Sequence, residues 1–155
     1  MSWYFKGELF NQSDVGKAFG FVYLITHVKS GQMYIGQKQF TSKKTTTAKG
    51  KKVKQTVTSD WQDYYSSSEF LKECKNKGDE LDRRILYLTI SKGQSNYIET
   101  MLQMDFRVLE NPDVWLNKIM NFRCHHTHVK MDKVIDKDNL FLQELYKKYG
   151  RIKHD

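Results

Sequence analysis

GFVYLITHVKSGQMYIG, residues 20–36, is the stretch whose reading decides the fold. From Phe19 to Ile25 the chain is aromatic and β-branched, HVKSGQ supplies turn chemistry, and MYIG at 33–36 resumes the strand pattern. That is the pattern of a β-hairpin. Tyr23 and Tyr34 stand eleven residues apart on its two strands, so both can reach one face of a small sheet. Taken singly, each is an ordinary half-buried strand aromatic.

Working outward, RILYLTI at 84–90 predicts a third strand, with Ile85, Tyr87 and Thr89 opposite Leu86, Leu88 and Ile90. Ser66 followed by Glu69 has the form of a capping box opening a short helix to about Lys77, with Gly78 as its stop. A longer helix is expected from about Gln94 to Leu109. Its apolar stripe is Ile98, Leu102, Phe106 and Leu109, widened by Met101, Met104 and Val108, and Glu99 and Gln103 fall towards the polar edge. Asp113–Met120 and Asn139–Tyr149 are shorter helical candidates, the last ending at Gly150. The expected fold is therefore α/β (α+β), a three-stranded antiparallel sheet flanked by helices, with a C-terminal helical extension over 110–155.

The 155 residues suit one domain, and nine scattered glycines with a single proline, Pro112, leave no linker that would divide it. With 39% apolar residues the chain has the means to build a core, which excludes wholesale disorder. A net charge of +8 favours a polyanionic partner over an acidic protein or an uncharged metabolite. No stretch approaches the roughly 20 apolar residues that span a bilayer. MSWYFKGELF also lacks the basic-then-apolar order of a signal peptide, so a cytoplasmic protein without a membrane partner is expected. Cys74 and Cys124 are expected to be reduced thiols.

Charge is concentrated in KKTTTAKGKKVK, residues 43–54, which holds six lysines and no acid. It reads as a loop, either merely solvated or a nucleic-acid contact surface. Cys124, His125, His126 and His128 crowd four nitrogen or sulfur ligands together. Structural zinc sites join two separated pairs, however, and Cys74 is far away in sequence, so histidines near a phosphate backbone are the expected reading.

The half-motifs Val22-Tyr23 and Tyr34-Ile35-Gly36, followed by a strand and a helix with a glutamate on its polar edge, resemble the GIY-YIG nuclease family. The resemblance covers the core from about Phe19 to Leu109. SDWQDYYSSSEFL, residues 59–71, is similar to the W-x2-YY-x-SS segment of a subgroup common in bacteriophage genomes. Carried over by position, the resemblance implies that Tyr23 and Tyr34 are active-site tyrosines and that Glu99, in NYIETMLQ, is the metal ligand. The implied protein is a divalent-metal-dependent DNA endonuclease of phage or mobile-element origin. It uses Mg²⁺ or Mn²⁺, cuts double-stranded DNA, and works in the host cytoplasm if phage-encoded.

Phosphodiester hydrolysis needs a deprotonated water in line with the leaving oxygen, a cation on the phosphate and donors for the developing charge. One carboxylate with several waters is a usual Mg²⁺ site. Tyr23 can take the water's proton only if its pKa of about 10 is lowered by a lysine or the metal, and Tyr34 can orient a water on the metal. Which tyrosine is the base stays open at this point.

Three positions depart from the family pattern. Gly20 comes one place early. Lys44, beside Lys43, stands where an arginine is usual, keeping the charge without the bidentate fork; Arg83 or Arg84 on the third strand are the other sources of that charge. Ser66 replaces a common glycine. DNA contacts are expected from Lys43, Lys49, Lys51, Lys52 and Lys54, from Arg83 and Arg84, and from Ser67 and Ser68 at a helix N-terminus. Trp61, with Tyr64 and Tyr65, either stacks on nucleotides or forms a satellite core cluster. A single active site must dimerise, as a homodimer, or cut twice to break a duplex. The alternatives are a catalytically silent DNA- or RNA-binding module on the same fold and an interaction protein that targets an acidic partner through its lysines.

Overall fold

The structure, a computed structural model, describes residues 2–122, 125–133, 135 and 139–150. In chain order its elements are β1 (Trp3–Phe5), β2 (Glu8–Phe10), β3 (Gly20–His27), β4 (Met33–Gln39), β5 (Thr41–Ala48), β6 (Lys51–Thr58), α1 (Glu69–Lys77), β7 (Leu81–Thr89), α2 (Lys92–Asp105) and α3 (Leu140–Tyr149). The fold class is α/β, as the sequence predicts. Five strands form one sheet in the order β2-β1-β7-β3-β4, and β5 and β6 form a separate ribbon. The three strands expected from the sequence are β7, β3 and β4, all antiparallel. The sheet is larger than predicted because the hairpin β1–β2 joins it, β1 lying parallel to β7.

β3 lies inside the sheet between β7 and β4, and its near-continuous apolar run is explained by cover on both faces. On one face Phe21, Tyr23 and Ile25 join Trp3, Phe40, Trp61, Leu71 and Ile85. On the other, Val22 and Leu24 meet Ile98 and Leu102 of α2 and Leu142 and Leu145 of α3. The simple alternation predicted for β7 does not hold through the strand. The register slips between Val22 and Tyr23, which pair with Tyr87 and Ile85, leaving Leu86 as an extra residue. A bulge of this kind returns Leu88 to the face of Ile85.

α1 opens later than the Ser66 capping box predicts. Ser68 is the N-cap, accepting from Leu71 N at 3.5 Å, while Ser66 sits before it at φ +76°. That left-handed backbone explains why glycine is at home in this position. α2 is capped by Ser91, which accepts from Gln94 N at 3.1 Å, and stops four residues before the predicted Leu109.

Asp113–Met120 is not a helix. Beyond a turn at Pro112–Val114 it runs extended along the outer edge of β4. Met33 N donates to Val114 O at 2.8 Å and Leu116 N to Met33 O at 2.7 Å. The Asn117 side chain accepts from Ile35 N at 3.0 Å and donates to Ile35 O at 2.7 Å. An edge strand has a row of unpaired backbone groups, and satisfying them outweighs the local helical pattern. α3 follows the prediction closely. Its N-cap Asn139 accepts from Leu142 N at 3.2 Å and donates to Leu86 O at 3.1 Å, fixing the helix to the sheet.

Candidate active site

β3 and β4 place Tyr23 and Tyr34 side by side, with ring centroids 6.4 Å apart and planes inclined at 26°. Gly36 makes this possible. A Cβ there would lie 2.4 Å from the Tyr23 hydroxyl oxygen and 2.9 Å from Tyr34 Cε1, so only a hydrogen leaves room for both rings. α2 packs across the opposite face of the sheet through Ile98 and Leu102, and that packing brings Glu99 to the same edge. Together with Gln37, Tyr64, Ser67, Asn96, Asn121 and Phe122 these residues line an open cleft of about 620 Å³. The sequence-predicted Tyr23, Tyr34 and Glu99 are thus brought together.

Glu99 is half-buried, and Gln103 Nε2 donates to its Oε1 at 3.1 Å. Its Oε2 is buried and has no hydrogen-bond partner. Burial pushes the carboxyl above its usual range, and hydrogen bonding from Gln37 and Gln103 pulls it part of the way back. A buried carboxylate oxygen without a donor fits a cation as its missing partner, and carboxylate oxygen suits a hard divalent ion.

The phenols differ in setting. Tyr23 is 1% exposed, and burial pushes its hydroxyl well above the ordinary value, reinforced by Tyr64, Tyr34 and Glu99. Tyr23 and Tyr64 hydrogen-bond through their hydroxyls, and burial raises Tyr64 as well. The Tyr34 hydroxyl is also raised by burial, but the hydrogen bond with Ser67 Oγ, 3.0 Å away, acts in the lowering direction.

Tyr64 is a site residue that the sequence suggested only as part of a core or stacking cluster. Lys38 was not singled out at all. Its Nζ lies 4.0 Å from the centroid of the Tyr64 ring and 2.5 Å from Asp60 Oδ1, and it holds the Asp60 carboxyl below the usual carboxylate range. The signal for Lys38 was alternation along β4, which puts positions 34, 36 and 38 on one face.

Other predicted residues stand elsewhere. Arg83 is 1% exposed, beneath the Trp3 and Tyr65 rings, and its Nη1 donates to the carbonyls of Gln62 and Tyr64 at 2.9 and 3.0 Å. It clamps the segment that delivers Tyr64 and has no surface to offer a duplex. Arg84 points to the other side of the sheet, where Asp82 accepts its Nε at 2.9 Å and the Tyr4 and Phe141 rings flank it. Neither arginine lines the cleft. Trp61 is also 1% exposed, with its indole donating to Gln12 Oε1 at 3.0 Å, so it belongs to the core rather than to a nucleotide-stacking surface.

Ser68 caps α1, as described. Lys43 and Lys44 lie on β5, Lys51, Lys52 and Lys54 on β6 and Lys49 in the turn between them, all exposed, so the predicted loop is a ribbon. Among the described residues His27, Cys74 and Asp79 bring ligand atoms within 4.8 Å of one another. His27 is already engaged there, to Ser30 at 2.7 Å and Asp79 at 3.1 Å, and none of the three lines the cleft. Of the cluster Cys124, His125, His126 and His128, Cys124 lies outside the described residues. No helix among the described residues is long and apolar enough to cross a membrane.

Residues 3–120 match the family described as "Putative endonuclease segE, GIY-YIG domain". No curated protein and no solved structure matches the chain.

Proposed function

The chain belongs to the GIY-YIG endonuclease family, and from that premise we propose that it hydrolyses phosphodiester bonds of double-stranded DNA with the aid of Mg²⁺ or Mn²⁺ at Glu99. The observation that carries this reading is the buried, partnerless Oε2 of Glu99 in the wall of a cleft that also holds three phenols. A divalent cation held by Glu99 supplies Lewis-acid charge to the scissile phosphate. Gln103 orients the carboxylate through its bond to Oε1, and the amides of Gln37 and Gln103 both favour its ionised form.

Tyr23 and Tyr64 remain protonated because burial disfavours their phenolates; the buried Tyr23 donates to Tyr64, which leaves the Tyr64 hydroxyl proton to hydrogen-bond a phosphate oxygen on which charge develops. Tyr34 is the residue we assign to orient the attacking water and, as the phenolate, to take its proton: burial raises its hydroxyl and the hydrogen bond with Ser67 acts in the lowering direction, so a cation held at Glu99 would have to supply the rest of the lowering. The water oxygen then bonds to phosphorus while the P–O3′ bond breaks, and the departing oxygen is protonated from solvent. Lys38, whose ammonium lies over the Tyr64 ring, provides fixed positive charge beside the cleft, and Lys44 on β5 adds to it. The W-x2-YY-x-SS resemblance of residues 59–71 supports a phage or mobile-element origin and action in the host cytoplasm.

Among the described residues no lysine or arginine lines the cleft, and this favours one second reading, a silent DNA-binding module on the same fold. Incubation of supercoiled plasmid with Mg²⁺ or Mn²⁺ decides between them. The parent chain should convert it to cut forms and Glu99→Gln should not. A parent that leaves the plasmid intact with either ion, or a variant that cuts equally, overturns the nuclease reading.

A further inference from the structure

β5 and β6 pair only with each other, and every residue from Thr41 to Thr58 is exposed except the half-buried Thr46 and Val57. A two-stranded hairpin without a covered face is marginal in water, and joining β4 to α1 requires nothing so long. The arm carries six lysines and no carboxylate. Lys49 and Gly50, at φ +50° and +74°, make the tight turn that lets the two strands run straight out.

Register divides the ribbon into unlike faces. Lys43 pairs with Thr56, Thr45 with Lys54 and Thr47 with Lys52, so these six share one side. The other side carries Val53 and Val57 with Lys44, Lys51 and Gln55. At its foot, Thr41 and Ser42 line a hollow with Lys38 and Lys92, and that hollow shares Gln37 and Asn96 with the cleft. A nucleic-acid backbone leaving Glu99 therefore meets positive charge continuously up to the ribbon.

Building on the DNA substrate proposed above, we infer that the Lys/Thr face of the ribbon enters the major groove of B-form DNA and contacts base edges there. The groove, about 12 Å wide, admits a two-stranded ribbon, whereas the deep, narrow major groove of A-form RNA does not. Eight residues at a rise of about 3.4 Å reach about 27 Å, enough to follow roughly eight base pairs. Lysine ammoniums suit the acceptors of guanine, and threonine offers a hydroxyl to either kind of edge group and a methyl to thymine. A face built of only these two residue types is polar and cationic with no core to serve.

The test uses the full chain carrying Glu99→Gln, so that binding is read without cleavage. Lys52→Gln with Lys54→Gln removes two charges from the Lys/Thr face, and Lys49→Gln with Lys51→Gln removes two from the tip and the opposite face. Circular dichroism melts confirm that both fold. The first pair should weaken binding to a DNA duplex about tenfold, equivalent to about 1.4 kcal/mol, and the second less than about threefold. The Glu99→Gln chain should protect guanine N7 of bound DNA from methylation, the first pair should lose that protection and the second keep it, and an RNA duplex should bind more weakly than DNA. Equal losses from both pairs, no N7 protection, or equal binding of RNA overturns the inference. Plasmid cutting by the parent is scored separately. A parent that cuts while the two pairs behave alike defeats only the groove inference, and a parent that never cuts while the face-selective protection is present defeats only the nuclease reading.

Discussion

Glu99 combines two properties that pull in opposite directions, a carboxyl that burial makes costly to ionise and an orphaned oxygen that ionisation would make a good ligand. Its folded pKa is raised, so protonation favours the fold, an advantage complete at low pH and lost as pH rises through the raised value. Mn²⁺ should therefore stabilise the fold most at neutral to alkaline pH, by about 2.7 kcal/mol at a concentration 100-fold above Kd and with a matching rise in melting temperature, and progressively less as pH falls through the Glu99 pKa. Thermal melts across pH check this, and Glu99→Gln should melt no lower than the parent without metal and show no Mn²⁺ effect.

Gly36→Ala belongs to the same scale. The added methyl must displace the Tyr23 hydroxyl or the β4 backbone, costing about 1–3 kcal/mol as overpacking does. Cleavage should fall by at least an order of magnitude even where the protein stays folded, and urea melts with initial rates separate the two effects. Lys38→Ala should slow cutting at saturating DNA more than Lys44→Ala, because only Lys38 touches a cleft residue. The reverse order would return the phosphate-stabilising role to Lys44.

Among elements, the segment from Trp61 to Tyr65 shows how the site is held from beneath. Arg83, on β7, contributes no charge to the cleft yet fixes the carbonyls of Gln62 and Tyr64. Arg83→Met keeps much of the volume and loses both bonds. Hydrogen bonds to a charged group are worth about 1.5–3 kcal/mol, so the variant should be destabilised by that order. It should also have a lower kcat with little change in KM, since Tyr64 loses its support while the ribbon is untouched. Chemical denaturation and steady-state cleavage read the two quantities.

The elements that were legible in the sequence are those with a local signal: β3, β4, β7, α2 and α3 through apolar patterns that a single segment displays, and α1 through the serines before it and Gly78 at its end. β1 and β2, at three residues each, are too short to show one and exist because β7 offers an edge. The ribbon was hidden for another reason, because a hairpin that covers nothing has no apolar alternation to betray it. Residues 113–120 misled because the edge of β4 set their conformation. In the site, Tyr23, Tyr34 and Glu99 were legible through their order and spacing, whereas Tyr64 and Lys38 arrive through tertiary packing.

For the molecule as a whole, the nuclease proposed above has one place to cut, the cleft containing Glu99, and a net charge of +8 that favours a polyanionic partner. One cleft per chain should break one strand at a time, so nicked circles should accumulate before linear plasmid in a time course resolved on agarose. Immediate linear product with no nicked intermediate would instead require two chains acting together. The same molecule also carries a constraint on how it is made. Trp3 sits beside Arg83 in the parallel pairing of β1 with β7, and its indole donates to Trp61 O at 2.8 Å. The hairpin, the ribbon and α1 all intervene between the two strands. Contacts so distant in sequence are slow to close, and β1 has no docking surface until β7 has taken its place beside β3. The β1–β2 hairpin, which can pair within itself early, thus joins the sheet late, and the Arg83 side chain, which lies against the Trp3 ring, is enclosed only once it docks.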